Sequence, residues 1–135
     1  EMDEFMRGRD ARGIWRGAFI ERMDLAYAAA DVVVARSGAG TVSELCLVGK
    51  AVVFVPSPNV AEDHQTKNAM ALADRGAALV VPDREAVARV FSEVGRLLAD
   101  DAVRSEMEKN IRALAVADSA DRVADEILKV VKRSE

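Results

Sequence analysis

Short valine-rich runs alternate along this chain with longer alanine-rich stretches that carry the charges. No other feature narrows the fold as much. The runs are Val32-Val33-Val34, Val52-Val53-Phe54-Val55 and Leu79-Val80-Val81, each bounded by polar or turn residues. Continuous β-branched runs of this length suit strands buried on both faces. Ile14 to Ile20, containing Trp15 and Phe19, is a weaker fourth candidate. Between the runs, Arg22 to Ala30, Thr41 to Val48 and Asp63 to Arg75 place their apolar residues at helical spacing, with Gly76 a C-cap for the last. After Pro82 the strand signal stops, and Glu85 to Ala99, Ala102 to Ala115 and Ala120 to Lys132 read as amphipathic helices. The order β-α-β-α-β-α-β followed by helices predicts an α/β, Rossmann-like, doubly wound parallel sheet of about four strands with a helical C-terminal tail.

Composition bounds the rest. The chain has 135 residues, enough for one domain, with 50% hydrophobic and 31% charged residues, so it is globular rather than disordered. Lys plus Arg is 19 against 23 Asp plus Glu, a net charge of −4, which argues against nucleic acid as a partner. The single cysteine, Cys46, can form neither an internal disulfide nor a cysteine zinc site; it falls on the apolar face of its helix and reads as a buried thiol in a reducing cytoplasm. The longest apolar run, Leu25 to Ala30, is too short to cross a bilayer. The first residue is Glu1 rather than Met, and the strand count falls short of the about six in a full sheet of this type. Both suggest a piece of a longer protein.

In an open parallel sheet, ligands bind beyond the carboxyl ends of the strands. Two loops qualify. After Val34 comes Arg36-Ser37-Gly38-Ala39-Gly40-Thr41 and then a helix. Glycines there allow a phosphate to approach the backbone, the helix start presents N–H groups and partial positive charge, and Arg36 adds a full one. The loop is neither a P-loop nor the dinucleotide fingerprint, which needs a third glycine where Ser43 stands. Spacing alone serves equally well for a capping box, Thr41 to Glu44, beside a tight turn. Glu44, one turn into the helix, is also placed to accept hydrogen bonds from vicinal ribose hydroxyls. The second loop, Pro56 to Gln65, leads into a helix and crowds Asn59, Glu62, Asp63, His64, Gln65, Thr66, Lys67 and Asn68 together. Amides and imidazole both donate and accept, as reading a sugar requires. The alternative is a solvated loop with Asp63 as N-cap and an inert surface histidine. His64 is the only histidine, so no histidine metal cluster can form, and no Ser-His-acid set or close carboxylate pair stands out.

At these loops the sequence resembles the MurG family of bacterial cell-wall N-acetylglucosaminyltransferases. Three stretches carry the likeness: Phe19-Ile20-Glu21-Arg22-Met23 with Tyr27 and Ala30-Asp31; Arg36-Ser37-Gly38-Ala39 with Thr41-Val42-Ser43-Glu44; and Val55-Pro56 through Asp63-His64-Gln65 to Asn68-Ala69. The likeness runs from about Ile14 to Val81. It implies the C-terminal half of a two-domain GT-B enzyme that transfers GlcNAc from UDP-N-acetylglucosamine to undecaprenyl-diphospho-muramoylpentapeptide, with inversion. The acceptor and general base then belong to an N-terminal domain outside this chain, and no metal or other cofactor is implied. The full enzyme is expected on the cytoplasmic face of the inner membrane as a peripheral protein, and the 135 residues alone are expected to be inactive.

By the same resemblance, the Ile20 backbone reads the uracil edge, with Phe19 and Met23 lining that pocket. Arg36 and Ser37, Gly38, Ala39 and Gly40 face the diphosphate, Thr41 offers it a hydroxyl, Glu44 takes the ribose hydroxyls, and His64, Gln65 and Asn68 meet the sugar. Gly40 stands where many members carry a larger residue, which suggests a more mobile loop, and Ala51 where proline is common before this strand, which changes stiffness more than chemistry. The glycine- and serine-rich loop that opens the family's C-terminal half is absent. The other readings are a GT-B transferase of different sugar or acceptor, a nucleotide-binding module without transferase chemistry, and a structural α/β domain in which Thr41 and Glu44 only cap a helix.

Overall fold

A computed structural model describes residues 14–15, 17–59 and 64–115. The valine-rich runs form three parallel strands, β1 (Val32–Ala35), β2 (Ala51–Phe54) and β3 (Leu79–Val80), in spatial order β1-β2-β3. Val32 pairs with Ala51 and Val53 with Leu79. Helix α1 (Met23–Ala29) precedes β1, α2 (Ala39–Val48) joins β1 to β2, and α3 (His64–Ala73) lies between β2 and β3. A 3-10 turn at Asp83–Glu85 leads into α4 (Ala86–Ala99), and residues 101–115 form a further helix, α5. None of the helices so described is long and apolar enough to cross a membrane.

Strand β2 shows why a continuous apolar run fits the centre of such a sheet. Ala51, Val52, Val53 and Phe54 all have no exposed surface. Because strand side chains alternate, Val52 and Phe54 point to one face, against Leu45 and Cys46 of α2, Ala69 and Leu72 of α3, and Ile111 of α5. Ala51 and Val53 point to the other, against Val81, Leu97 of α4 and Met107 of α5. Both faces are covered, as a doubly wound sheet requires.

Two glycine turns fix which end of the sheet stays open. Gly49 ends α2 at φ 73° and Gly76 follows α3 at φ 68°, the left-handed conformation that favours glycine. After α3 the bonds Ala77 N–H to Leu72 O (2.9 Å) and Gly76 N–H to Ala73 O (3.0 Å) make a Schellman motif, so the expected cap at Gly76 is present. Helix α5 packs on both turns: Arg112 lies against Gly49, and Asn110 Nδ2 donates to Gly76 O at 3.1 Å. Both turns precede strands, so α5 occupies the amino-terminal end of the sheet and leaves the carboxyl end free.

The structure corrects the sequence reading in two places. Among the described residues the sheet has three strands, not four, because residues 14, 15 and 17–20 form no strand. Ile14, Trp15 and Phe19 are 56%, 69% and 78% exposed. The Trp15 ring lies over its own Gly17 rather than a neighbouring strand. Apolar residues favour a strand only where another strand takes up their backbone groups. Second, α2 starts at Ala39 with Gly38 as N-cap and no side-chain cap, so the Thr41 to Glu44 capping box does not form. Gly40 therefore lies in the first turn of a helix rather than in a loop. The helix expected at Ala120 to Lys132 and the Asp63 cap lie outside the described residues.

Candidate functional site

The carboxyl ends of β1 and β2 are tied together by side chains of α3. Ser37, fully buried, donates its hydroxyl to Gln65 O at 2.7 Å, and its N–H reaches Gln65 Oε1 at 3.3 Å. The same Oε1 accepts Ser57 N–H at 2.9 Å, and Asn68 Nδ2 donates to Ser37 O at 3.1 Å. Buried polar groups require partners, and this network supplies them across two loops far apart in sequence. Gln65 and Asn68 do share a helix face, as their spacing implies, and that face braces the loop after β1. His64 is exposed at the start of α3.

The loop braced in this way leads into the bare start of α2. The first bond of that helix is Val42 N–H to Gly38 O at 3.0 Å, so the amides of Ala39, Gly40 and Thr41 lie ahead of it. The first turn carries no acidic residue. A methyl group at Gly38 would meet Gln65 Nε2 at 3.8 Å, an ordinary contact, and one at Gly40 would meet nothing within 4 Å. Packing among the described residues thus demands neither glycine at this positive end of the helix dipole.

Beside this helix start lies a cleft of about 460 Å³, within the usual size range of small-molecule sites. Ile20, Met23 and Tyr27 line it from the α1 side, Thr41 and Glu44 from α2, and β1 forms its floor. Tyr27 donates its hydroxyl to Glu44 Oε2 at 3.2 Å across the cleft. Burial, and then the hydrogen bond and charge of Glu44, push the Tyr27 phenol above its usual pKa of 10.0, which keeps the donor proton in place.

The structure therefore brings together Ile20, Met23, Thr41 and Glu44, with Gly38, Ala39 and Gly40 at the adjoining helix start. Phe19 is exposed and outside this lining. Arg36 points elsewhere. Its Nη1 donates to Val55 O and Pro56 O, each at 3.2 Å, and to Asp83 Oδ1 at 2.6 Å. This half-exposed ion pair borders a second groove, on the α4 side of the sheet, with Val34, Val87 and Phe91. Among the described residues no group of three or more His, Cys, Asp or Glu side chains is placed to hold a metal ion.

Sequence reasoning assigned no role to Tyr27 or Asp83. Tyr27 had a signal, since it stands four residues after Met23 on the same helical face. Asp83 had one too, as an acidic residue just beyond β3 where ligands and loop contacts gather.

A parallel α/β sheet with an uncapped helix start and a carboxylate-lined cleft beside its first strand is a Rossmann-like fold. Comparison with known proteins narrows the class: residues 12–123 match the glycosyltransferase family 28 C-terminal domain, and the chain belongs to that family. Among curated relatives, the UDP-N-acetylglucosamine–N-acetylmuramyl-(pentapeptide) pyrophosphoryl-undecaprenol N-acetylglucosamine transferase of Parabacteroides distasonis is 49% identical over 120 residues, covering 89% of this chain and 33% of the relative. The enzyme of the same name from Porphyromonas gingivalis is 54% identical over 114 residues, covering 84% and 30%. The crystal structure of Acinetobacter baumannii MurG superposes with a TM-score of 0.70 at 34% identity, over 83% of this chain and 33% of that one. The chain thus spans about a third of the length of these relatives.

Proposed function

We propose that this chain is the donor-binding part, an incomplete C-terminal domain over residues 1–135, of an inverting GT-B transferase. The enzyme moves GlcNAc from UDP-N-acetylglucosamine to a lipid-linked muramoyl pentapeptide. The observation that carries the reading is the convergence of Ile20, Met23, Thr41 and Glu44 on one cleft beside the bare start of α2. The names of the relatives supply the donor and acceptor. In this reading the Ile20 backbone and Met23, with the neighbouring Phe19, receive the uracil. Glu44 accepts the ribose hydroxyls, while Thr41 and the amides of residues 39–41 face the diphosphate.

Chemistry follows from charge. When the acceptor hydroxyl displaces UDP from the anomeric carbon, negative charge grows on the leaving diphosphate, and N–H groups fixed at a helix start need no rearrangement to meet it. Arg36, already paired with Asp83, acts on this loop by holding its shape, and Gln65 and Asn68 do the same from α3 while His64 stays free to meet the sugar. Acceptor binding and the general base belong to a second domain, which holds the substrates in line at the cytoplasmic membrane face.

The test is a calorimetric titration of the chain with UDP-N-acetylglucosamine. One site is expected, and Glu44→Ala should weaken it about ten-fold or more, as loss of hydrogen bonds to a charged acceptor implies. Absence of binding, or a Glu44→Ala variant that binds as the native chain does, overturns the proposal. GlcNAc transfer by the 135 residues alone would overturn the division of labour between two domains.

A further inference from the structure

We infer that Tyr27 is a positioning residue for the nucleotide site: its hydroxyl, on Glu44 Oε2, holds the carboxylate in the orientation that accepts a ribose diol. The inference rests on the reading of Glu44 proposed above. Glu44 is exposed and ends a flexible side chain, and the hydrogen bond its carboxylate accepts comes from outside its own helix, from Tyr27. Tyr27 comes from the opposite wall. Its ring packs against the core cluster under α2 and α3, while its hydroxyl reaches the cleft. An aromatic body fixed by packing, with a polar tip in solvent, makes a rigid donor. The bond it donates to Glu44, at 3.2 Å, therefore restrains the flexible partner rather than the reverse.

The geometry of acceptors makes this useful. An ionised carboxylate has about four lone-pair positions on two oxygens. Tyr27 occupies one of them on Oε2, which leaves Oε1 and the remaining position of Oε2 for two neighbouring hydroxyls. A vicinal diol presents its two donors a fixed distance apart, so it gains from a carboxylate whose plane is already set. A single hydroxyl gains much less, because one bond tolerates a range of orientations. Tyr27 should therefore sharpen the distinction between ribose and 2′-deoxyribose without touching the nucleotide. Burial supports the role by keeping the phenol protonated well above neutral pH.

The experiment measures the affinity of the chain for UDP and for 2′-deoxy-UDP by calorimetry, in the native protein and in Tyr27→Phe, Glu44→Gln and the double variant. Tyr27→Phe retains the ring and its packing, and a melting curve reports whether the fold is kept. The native chain should prefer UDP. Tyr27→Phe should weaken UDP roughly five-fold, the scale of one hydrogen bond, and leave 2′-deoxy-UDP nearly unchanged. In the Glu44→Gln background the tyrosine change should move the ratio no further. A residue that only packs would shift both ligands together, so equal losses, or none, overturn the inference while the donor-site reading stands. A native chain that shows no preference for UDP, or that fails to bind it, removes the reading of Glu44 itself and the inference with it.

Discussion

Replacement of Gln65 by methionine tests whether the two strand-end loops are joined through one amide oxygen. Methionine has nearly the same volume and length, so the cavity penalty of a truncation is avoided. What is lost includes Oε1, the shared acceptor of Ser37 N–H at 3.3 Å and Ser57 N–H at 2.9 Å, together with the Nε2 donor. The two donors fare differently. Ser37 is fully buried, so its amide faces the desolvation penalty of an unmet donor, about 1–3 kcal/mol. Its bond is long, which favours the lower half of that range. Ser57 is half-buried and water can replace the lost oxygen, so only the ordinary net value of a hydrogen bond, about 0.5–1.5 kcal/mol, is at stake. Together these predict a loss of about 1.5–3.5 kcal/mol. Urea unfolding followed by far-ultraviolet circular dichroism reads it directly. With a slope near 2 kcal/mol/M, the midpoint should fall by about 0.8–1.8 M with the slope unchanged. A loss under about 0.5 kcal/mol would refute the reasoning, since surface substitutions with no specific partner already reach that size.

Other consequences are simpler to measure. Tyr27 is the only tyrosine, so tyrosinate absorbance reports it alone; its midpoint should lie above 10.0, and Glu44→Gln should lower it part of the way, because burial is the larger cause and remains. The sign for stability follows. A phenol whose folded pKa is raised stabilises the fold fully below its unfolded pKa of about 10, and that contribution is lost as pH rises through the folded value. Gly49→Ala should cost more than Gly76→Ala in melting temperature. Both have positive φ, but the new methyl would lie 2.5 Å from Arg112 Cγ at Gly49 and 3.1 Å from Asn110 Nδ2 at Gly76. Gly40→Ala should instead stabilise the chain by about 0.5–1 kcal/mol, since it adds a better helix former where nothing lies within 4 Å. A lower melting temperature for that variant would show that α2 starts later than Ala39.

Much of the architecture was legible because parallel strands and their crossover helices leave local marks. The run Val52-Val53-Phe54-Val55 could belong only to something buried on both sides, and β2 is the central strand. The segment with Trp15 and Phe19 carried the same side-chain types, yet strand formation depends on a neighbour, and a single sequence does not display its neighbours. The capping box failed for a related reason. Thr41 and Glu44 have the right spacing, but a helix starts where the chain first turns, and the loop braced by Ser37 and Gln65 turns it at Gly38, three residues too early for Thr41 to cap.

Arg36 shows the same limit from the electrostatic side. In the sequence it stands beside a glycine-rich loop in an acidic chain, and a lone cation there reads as the natural counter-charge for a phosphate. The residue that engages it, Asp83, lies 47 positions later, beyond β3, and its place there does not say which cation it meets. Once the fold brings the ends of β1, β2 and β3 together, the guanidinium has two carbonyls and a carboxylate within reach, all on the α4 side of the sheet. The amides at the start of α2, on the other side, belong to the backbone and cannot turn away to another partner. An anion arriving at the carboxyl end of β1 thus meets a partial charge fixed by helix geometry, whereas the full charge must first leave Asp83 to reach it. In this chain the weaker source of positive potential is the better placed one.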